Sequence, residues 1–421
     1  MSSGLRPRHA RRPVHGVVRG IYLPRTADAG AFAMTTYGIP LLVLATTDSA
    51  ALTGLAFALE WIPRLSAFAL AGAMVDRYGT TRVLRYASVA RALVVLAAAL
   101  MLPARSAGPE ATATVMLLAA STGVLTEFSY IAAETAGAAA SRQAGQHAHR
   151  VQTVLLGIDQ VATLAGPALA GVLLQHTGAS GMLATLACFS LTGAALTPRQ
   201  PQHAGEEPVP VMKGLRTGWE TLRSLPALAW LVTGMTLANL GIGLVQAAAP
   251  VIVVQHLGHS SASVGLIWSA AALASLIALA VCRKAIDRYG LWVVGATSAA
   301  VVTGAGWAVA TAHTYTTYLI LIAVLMAGEG GMSVVLRTLR SHLIPPDVFG
   351  ATLSLTILLF LLPFPLAGLL VALTPGPALN SVITVCAAVQ TIGLALTFAR
   401  LRTLPGLHTA QVRPSGAQPC S

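Results

Sequence analysis

Long apolar segments recur at short intervals along almost the whole chain. A helix that crosses the hydrocarbon core of a bilayer needs about 20 predominantly apolar residues. Twelve segments meet this requirement, and we number them as spans 1 to 12: 22–46, 51–74, 83–104, 111–136, 151–175, 179–197, 225–254, 261–282, 291–312, 315–336, 349–374 and 379–400. Only 10% of the 421 residues are charged, against roughly 25% in soluble domains. The sequence therefore predicts an all-α membrane protein and excludes a soluble enzyme, a disordered chain and a disulfide scaffold.

Lysine and arginine are distributed unevenly about these spans. All but four of the 26 basic residues fall in segments that twelve spans place on the same side as both termini. Of the other four, Arg105 falls on the opposite side and Arg25, Arg64 and Arg91 fall within spans. Short cytoplasmic loops collect positive charge, so we expect a multi-pass protein of the inner membrane with cytoplasmic termini. The net charge of +12 is then a topology signal, and no nucleic-acid partner is expected.

The longest polar stretch between spans divides the chain into two sets of six spans. We predict a cytoplasmic tail at 1–21, a six-helix bundle at 22–197, a cytoplasmic linker at 198–224, a second six-helix bundle at 225–400 and a cytoplasmic tail at 401–421. The basic N-terminal residues lack the apolar core of a signal peptide and are expected to form a tail.

A tetrapeptide marks an internal repeat. Asp-Arg-Tyr-Gly occurs at Asp76–Gly79 and again at Asp287–Gly290, in each case after the second span of its half. Two six-helix halves related by a parallel repeat are typical of transporters that rock around a central site. The alternative is that this sequence only makes a good charged turn.

The first copy resembles the loop 2–3 signature of the major facilitator superfamily, and the second copy is degenerate. The resemblance implies a conformational switch formed by these positions: Gly72, Asp76, Arg77, Gly79, Arg82, Asp287, Arg288 and Gly290. It also implies two pseudo-symmetric bundles of transmembrane helices that open to one side of the membrane at a time.

Span 5 resembles the glycine–proline motif of the exporter, or antiporter, branches of that superfamily. The matching positions are Ala162, Gly166, Pro167, Ala170 and Gly171, with alanine at 162 where glycine is usual. The first half is similar to the macrolide-efflux and enterobactin-exporter branch. In physical terms, residues 162, 166 and 170 form a ridge of small side chains and Pro167 permits a kink, so tight packing alone also explains the segment.

Acidic residues at membrane depth are costly and require an explanation. Glu60 with Arg64, and Arg25 with Asp28, are spaced to neutralise each other on one helix face. Glu134 is expected to pair with Arg142 or Arg82.

Other acids have no such partner. Glu127, Asp159 and Glu329 lack an opposite charge within one helical turn, although Arg91 can neutralise one of them. A carboxyl group in a cavity of low dielectric binds a proton more readily. The candidates for proton coupling are therefore these three acids together with Asp28 of span 1: Asp28, Glu127, Asp159 and Glu329.

Polar and aromatic residues on the same spans are candidates for a substrate cavity. They are Tyr37, Trp61, Phe128, Tyr130, Asn239, Gln246 and Trp268. Such side chains also pack or anchor at membrane interfaces. We predict no cofactor and no metal site. The chain has no phosphate-cradling loop and no recognisable catalytic cluster, so it is not expected to be an enzyme.

Together these features predict a secondary transporter that exports a small organic molecule, a siderophore or a drug-like compound, in exchange for protons. The expected partners are this molecule, protons and the lipid bilayer, and we expect a monomer. The alternatives are a multidrug or antibiotic efflux pump, a proton-coupled symporter for nutrient uptake, and a receptor or assembly factor that moves no cargo.

Overall fold

The computed structural model describes residues 18–102, 108–144, 148–199, 211–345 and 348–404. These residues form helices joined by short connections, with no strand among them. Most of both predicted tails (1–17 and 405–421), the middle of the predicted linker (200–210) and Arg105 lie outside the described residues.

The described residues of the first half form five α-helices. They are α1 (Leu23–Thr47), α2 (Ala50–Tyr78), α3 (Thr80–Met101), α4 (Pro109–Ala144) and α5 (Ala148–Leu196). A straight helix as long as α5 would extend about 74 Å, more than twice the thickness of a bilayer core. The chain turns back at Gly178, whose φ of 67° and ψ of −169° are non-helical and readily adopted only by glycine. The two arms of α5 are therefore spans 5 and 6.

The described residues of the second half form eight α-helices. They are α6 (Val211–Ser224), α7 (Pro226–Val251), α8 (Ser261–Tyr289), α9 (Leu291–Val309), α10 (Tyr315–Leu343), α11 (Phe349–Leu361), α12 (Pro363–Leu373) and α13 (Leu379–Thr403). Helix α6 is a short amphipathic helix at the end of the predicted linker. Span 11 is interrupted at Leu362, before Pro363, and so consists of α11 and α12.

The helix count agrees with the predicted fold class. Within the described residues, ten helices are long and apolar enough to cross a membrane, and the two parts of α2, which bends by 48° between Phe68 and Leu70, give an eleventh. One of the ten is α5, whose two arms are separate spans. The described chain thus accommodates twelve spans in two groups of six.

The two halves repeat their local geometry. Gly79 precedes α3 with φ 85° and ψ 150°, and Gly290 precedes α9 with φ 84° and ψ 163°. Likewise Ser49 caps α2 and Ser260 caps α8, each accepting a hydrogen bond from the backbone N–H three residues later. The two copies of the tetrapeptide therefore close the same kind of helix–helix connection in each half.

The halves meet most tightly at one face of the bundle. We call the face where α1 begins and α13 ends the terminal face, and the opposite one the loop face. Near the loop face, one apolar cluster includes side chains of both halves, such as Phe57 of α2 and Trp268 of α8. The other clusters among the described residues each belong to a single half. The interface is therefore closed toward the loop face.

Candidate functional site

Three arginines within the first half form ion pairs inside the bundle. The deepest is Arg91 of α3, whose Nη2 lies 2.8 Å from Asp28 Oδ1 of α1, with side chains 0% and 3% exposed. Arg91 also donates to the hydroxyls of Ser129 and Ser190. The predicted pairing of Asp28 with Arg25 is wrong, because Asp28 faces the neighbouring helix α3.

Arg64 of α2 pairs with Glu127 of α4. Its Nε lies 2.6 Å from Glu127 Oε2, and both side chains are buried. The guanidinium carbon also lies 4.4 Å from the centre of the Trp61 ring and 4.7 Å from that of Phe32. Glu127 thus has a cationic partner that its own helix does not supply.

Glu60 of α2 has no hydrogen-bonded cation among the described residues, although Arg64 lies within electrostatic range of it. The sequence suggested that Arg64 neutralises it, but the hydrogen bond of Arg64 is directed to α4. Neither carboxylate oxygen of the fully buried Glu60 has a hydrogen-bond partner in the part of the chain that the structure describes. Thr36 of α1, whose hydroxyl is also without a partner there, is its polar neighbour. Glu60 was not among the predicted proton-coupling residues, because its spacing from Arg64 indicated an ion pair.

A close contact sets the relative position of α2 and α4. A β-carbon built on Gly123 of α4 would lie 2.2 Å from the Glu60 carbonyl oxygen. Arg64 and Glu127 lie one turn further along the same two helices, and both pairs are separated by 63 residues. Glycine at 123 therefore lets the helices approach closely enough for the ion pair to form.

Arg25 of α1 holds two acids of different helices. Its Nε lies 2.8 Å from Asp159 Oδ1 and its Nη2 2.6 Å from Asp159 Oδ2, and Nη2 also bonds to Glu134. Glu134 was expected to pair with Arg142 or Arg82, but α1 supplies its partner. The acids are partly exposed, at 49% for Glu134 and 31% for Asp159. In this three-residue cluster the guanidinium is therefore buried, whereas its two acids are accessible at the edge of the bundle.

Glu329 of α10 lies between three glycines that pack against other helices. β-Carbons built on Gly328 and Gly331 would contact α9, and one on Gly330 would contact Ser275 of α8. On a helix with 3.6 residues per turn, Glu329 points away from these three positions. Its Oε1 accepts a hydrogen bond of 2.7 Å from Ser333, and Arg337, two turns along, is within electrostatic range.

Tyr37 of α1 lies within electrostatic range of Glu329, although the two residues belong to different halves. The Tyr37 ring also packs against Trp268 of α8, with ring centres 5.3 Å apart. Three residues predicted separately, Tyr37, Trp268 and Glu329, are thus brought together between the halves.

The remaining predicted cavity residues are more dispersed. Trp61 stacks on Phe364 of α12, with ring centres 4.5 Å apart, and so joins the two halves. Tyr130 lies beside Phe32 and under Arg25, Asn239 donates to the Phe360 carbonyl, and Gln246 is buried in α7. Phe128 lines a groove between α2, α3 and α4, away from the contact between the halves.

The glycine–proline segment of α5 makes close contacts with two other helices. A β-carbon on Gly166 would lie 2.5 Å from that of Ala33 in α1, and one on Gly171 would lie 2.5 Å from the Ser261 carbonyl oxygen of α8. Gly265 of α8 in turn lies against the Pro167 carbonyl. Ala170 is buried, whereas Ala162 lines an apolar groove. This segment therefore forms part of the contact between the halves.

The switch-like residues lie at the terminal face. Asp76, Arg77 and Arg82 are exposed, as are Asp287 and Arg288 of the second copy. Gly72 has open space around its α-carbon. Among the described residues, no three His, Cys, Asp or Glu side chains come together in a way that would bind a metal ion.

Two repeated six-helix bundles define a transporter fold. Ion pairs are buried in one bundle, and an aromatic seam, formed by Tyr37, Trp61, Trp268 and Phe364, lies between the two. The family model described as Major Facilitator Superfamily matches residues 26–368, and the chain belongs to this family. A search of the curated proteins found no match.

Solved structures agree with this fold. A bacterial homologue of the iron transporter ferroportin, in an inward-facing state, is similar with a TM-score of 0.69 and 16% identity, over 91% of this chain and 97% of that one. The nucleoside transporter NupG is similar with a TM-score of 0.68 and 13% identity, over 90% of this chain and 99% of that one. A D-xylose–proton symporter is similar with a TM-score of 0.68 and 14% identity, over 89% of this chain and 96% of that one. At these identities the likeness shows the fold alone.

Proposed function

We propose that the chain exports a small amphiphilic organic molecule in exchange for protons, by alternating access between its two halves. The observation that carries this proposal is the position of Glu60 and Glu329. Both carboxyl groups lie within membrane-spanning helices, and neither has a cation within hydrogen-bond distance among the described residues. An ionised carboxylate at such depth costs at least about 2.5 kcal/mol, and a bound proton removes this cost.

The other acids are proposed to have a different role. Asp28, Glu127 and Asp159 each bond to an arginine. Protonating Asp28 or Glu127 would leave a buried cation without its acidic partner, and protonating Asp159 would leave Arg25 with Glu134 alone. Of the four residues singled out from the sequence, we therefore propose Glu329 as a proton carrier and add Glu60 to it. The other three are proposed to hold the first half together.

The two proposed carriers lie on either side of one point of α1. Thr36 is the polar neighbour of Glu60, and the next residue, Tyr37, interacts with Glu329. A small displacement of α1 would therefore change the surroundings of both carboxyl groups. We propose that this arrangement links proton binding to the movement of the halves.

The aromatic seam supports an amphiphilic organic cargo. Tyr37 with Trp268, and Trp61 with Phe364, place aromatic rings from both halves beside the proposed carriers. Apolar walls with a few polar groups suit such a molecule. A dedicated siderophore and a range of drug-like compounds both fit this description.

Export is supported by the glycine–proline segment of α5, which resembles that of exporters. Its contacts with Ser261 and Gly265 join the two halves, which fits a role in their relative movement. We also propose, from the distribution of basic residues, that the terminal face is cytoplasmic, and that the protein acts as a monomer in the inner membrane. Uptake by symport is the main competing function.

Proton-coupled flux in proteoliposomes tests the proposal. Vesicles holding the protein and a pH-sensitive dye, with an acidic interior, receive either a catecholate siderophore or ethidium outside. Antiport predicts that one of these cargoes accumulates while the interior becomes more alkaline. Glu60→Gln and Glu329→Gln should abolish this coupling, whereas Glu220→Gln, an exposed acid of α6, should not. Cargo uptake driven by an alkaline interior would instead indicate symport, and binding without flux would indicate a receptor.

A further inference from the structure

A groove opens on the flank of the first half, between α2, α3 and α4. Its volume is about 690 Å³, and its lining includes Tyr78, Arg82, Tyr86, Ala90, Leu125 and Phe128. No residue of the aromatic seam lines it. The groove is therefore separate from the contact between the halves.

The bent arm of α2 forms one wall of this groove. The helix turns by 48° between Phe68 and Leu70, and its final arm contributes Met74 and Tyr78 to one wall. The opposite walls belong to α3 and α4, which stay packed together through Val83, Leu84, Ala132 and Ala133. A straight α2 would bring a different set of side chains to this wall.

The polarity of the groove changes along its length. Arg82 is the single charged residue among the described residues of the lining. It is exposed and lies three residues after the Gly79 turn at the terminal face. From Arg82 to Ala90 the wall rises by about 12 Å along α3 and becomes apolar. Tyr78 and Tyr86 are 45% and 71% exposed, as is common for aromatic residues at the level of lipid headgroups.

We propose that this groove binds one anionic phospholipid of the surrounding bilayer, with its headgroup at Arg82 and an acyl chain along the apolar wall that α3 and α4 form. A cation at the mouth of an apolar slot matches the charge and polarity of such a lipid. The slot faces away from the seam between the halves, so lipid is the molecule that surrounds it. Because one wall is the bent arm of α2, a bound lipid would favour the bent form of this helix.

Native mass spectrometry of the full chain in detergent tests the assignment. The protein is titrated with phosphatidylglycerol and, separately, with phosphatidylcholine that has the same acyl chains. A basic residue near a membrane surface contributes about 1 kcal/mol to the binding of an anionic lipid, which corresponds to about a fivefold preference over a lipid without net charge. We expect phosphatidylglycerol to bind with this preference, and Arg82→Gln to remove it while the weaker binding of phosphatidylcholine stays unchanged.

Two further variants keep the test decisive. Ala90→Phe fills the apolar part of the groove and should weaken the binding of both lipids, provided that its thermal unfolding matches that of the unmodified protein. Arg142→Gln changes another exposed arginine of the first half, outside the groove lining, and should leave the preference intact. Equal binding of the two lipids, or a preference that survives Arg82→Gln, would overturn the proposal. The proposal would also be overturned if Ala90→Phe stopped transport but left lipid binding unaltered. That result would indicate that the groove is a route for cargo.

Discussion

Arg64 Nε lies 2.6 Å from Glu127 Oε2, and this ion pair joins α2 to α4 one turn beyond the contact between Glu60 and Gly123. The packing of two backbones and the pairing of two charges thus share one register. A substitution that separates the two helices should therefore weaken the ion pair, and a substitution in the ion pair should disturb the helix packing.

The first prediction concerns the backbone contact. Gly123→Ala places a methyl group 2.2 Å from the Glu60 carbonyl, so α2 and α4 must separate. Overpacking of this kind costs about 1–3 kcal/mol, and we expect a loss of that size in the free energy of unfolding together with reduced transport. Gly157→Ala is the control, since no atom lies within 4 Å of its β-carbon position. Its stability should be unchanged or higher, and equal losses in both variants would refute the packing argument.

The second prediction concerns the charges. Removing one partner of a buried ion pair costs about 3–5 kcal/mol, so Arg64→Met should be strongly destabilising. Glu127→Gln should cost less, because Arg64 can then turn to Glu60, four residues earlier on the same helix. Thermal unfolding of both single variants and the double variant measures the coupling energy. The exposed pair Arg216–Glu220 should give a coupling below about 1 kcal/mol, and a value as low for Arg64 with Glu127 would contradict the role assigned to them.

The third prediction follows from the two acids held by Arg25. Either acid alone still compensates the buried guanidinium, so Glu134→Gln and Asp159→Asn should each lower stability by less than about 1 kcal/mol. The double variant leaves Arg25 without a carboxylate and should lose about 3 kcal/mol. Chemical unfolding of the three variants measures these differences. Simple additivity of the single effects would show that the acids act independently.

The fourth prediction concerns closure at the loop face. Gln255, which follows α7, donates to the carbonyl and the carboxylate of Asp48, the residue that ends α1, at 3.0 and 2.9 Å. Gln255→Ala removes both hydrogen bonds between the halves, which together contribute about 1 kcal/mol when exposed. Ser261→Cys, in a background without the four native cysteines, should then react about fivefold faster with an impermeant maleimide. Asn380→Ala, at the same face but in α13, should not alter the rate, and an unchanged rate in Gln255→Ala would exclude this contact as a latch.

The fold was largely predictable because hydropathy reports directly on membrane spans. The repeated tetrapeptide indicated two equivalent helix–helix connections, and its copies end α2 and α8 in the same geometry. The interruption of span 11 was not predicted, although Pro363 and Pro365 in that span were a usable signal.

The partners of the buried charges were not predictable from the same reasoning. Spacing along one helix paired Arg25 with Asp28 and Glu60 with Arg64, but both arginines reach across to other helices. Which helices become neighbours depends on tertiary packing, and positions such as Gly123 decide it. For Glu329 a local signal existed, since glycines on three sides of one acid imply a single open direction.

The location of the ion pairs has a consequence for how the protein is made. Arg25, Arg64 and Arg91 find all their acidic partners between Asp28 and Asp159, within the first five spans. During synthesis, every deeply placed cation of the first half can be compensated before the linker leaves the ribosome. The first half can therefore settle in the membrane as an electrically complete unit, on which the second half is then assembled.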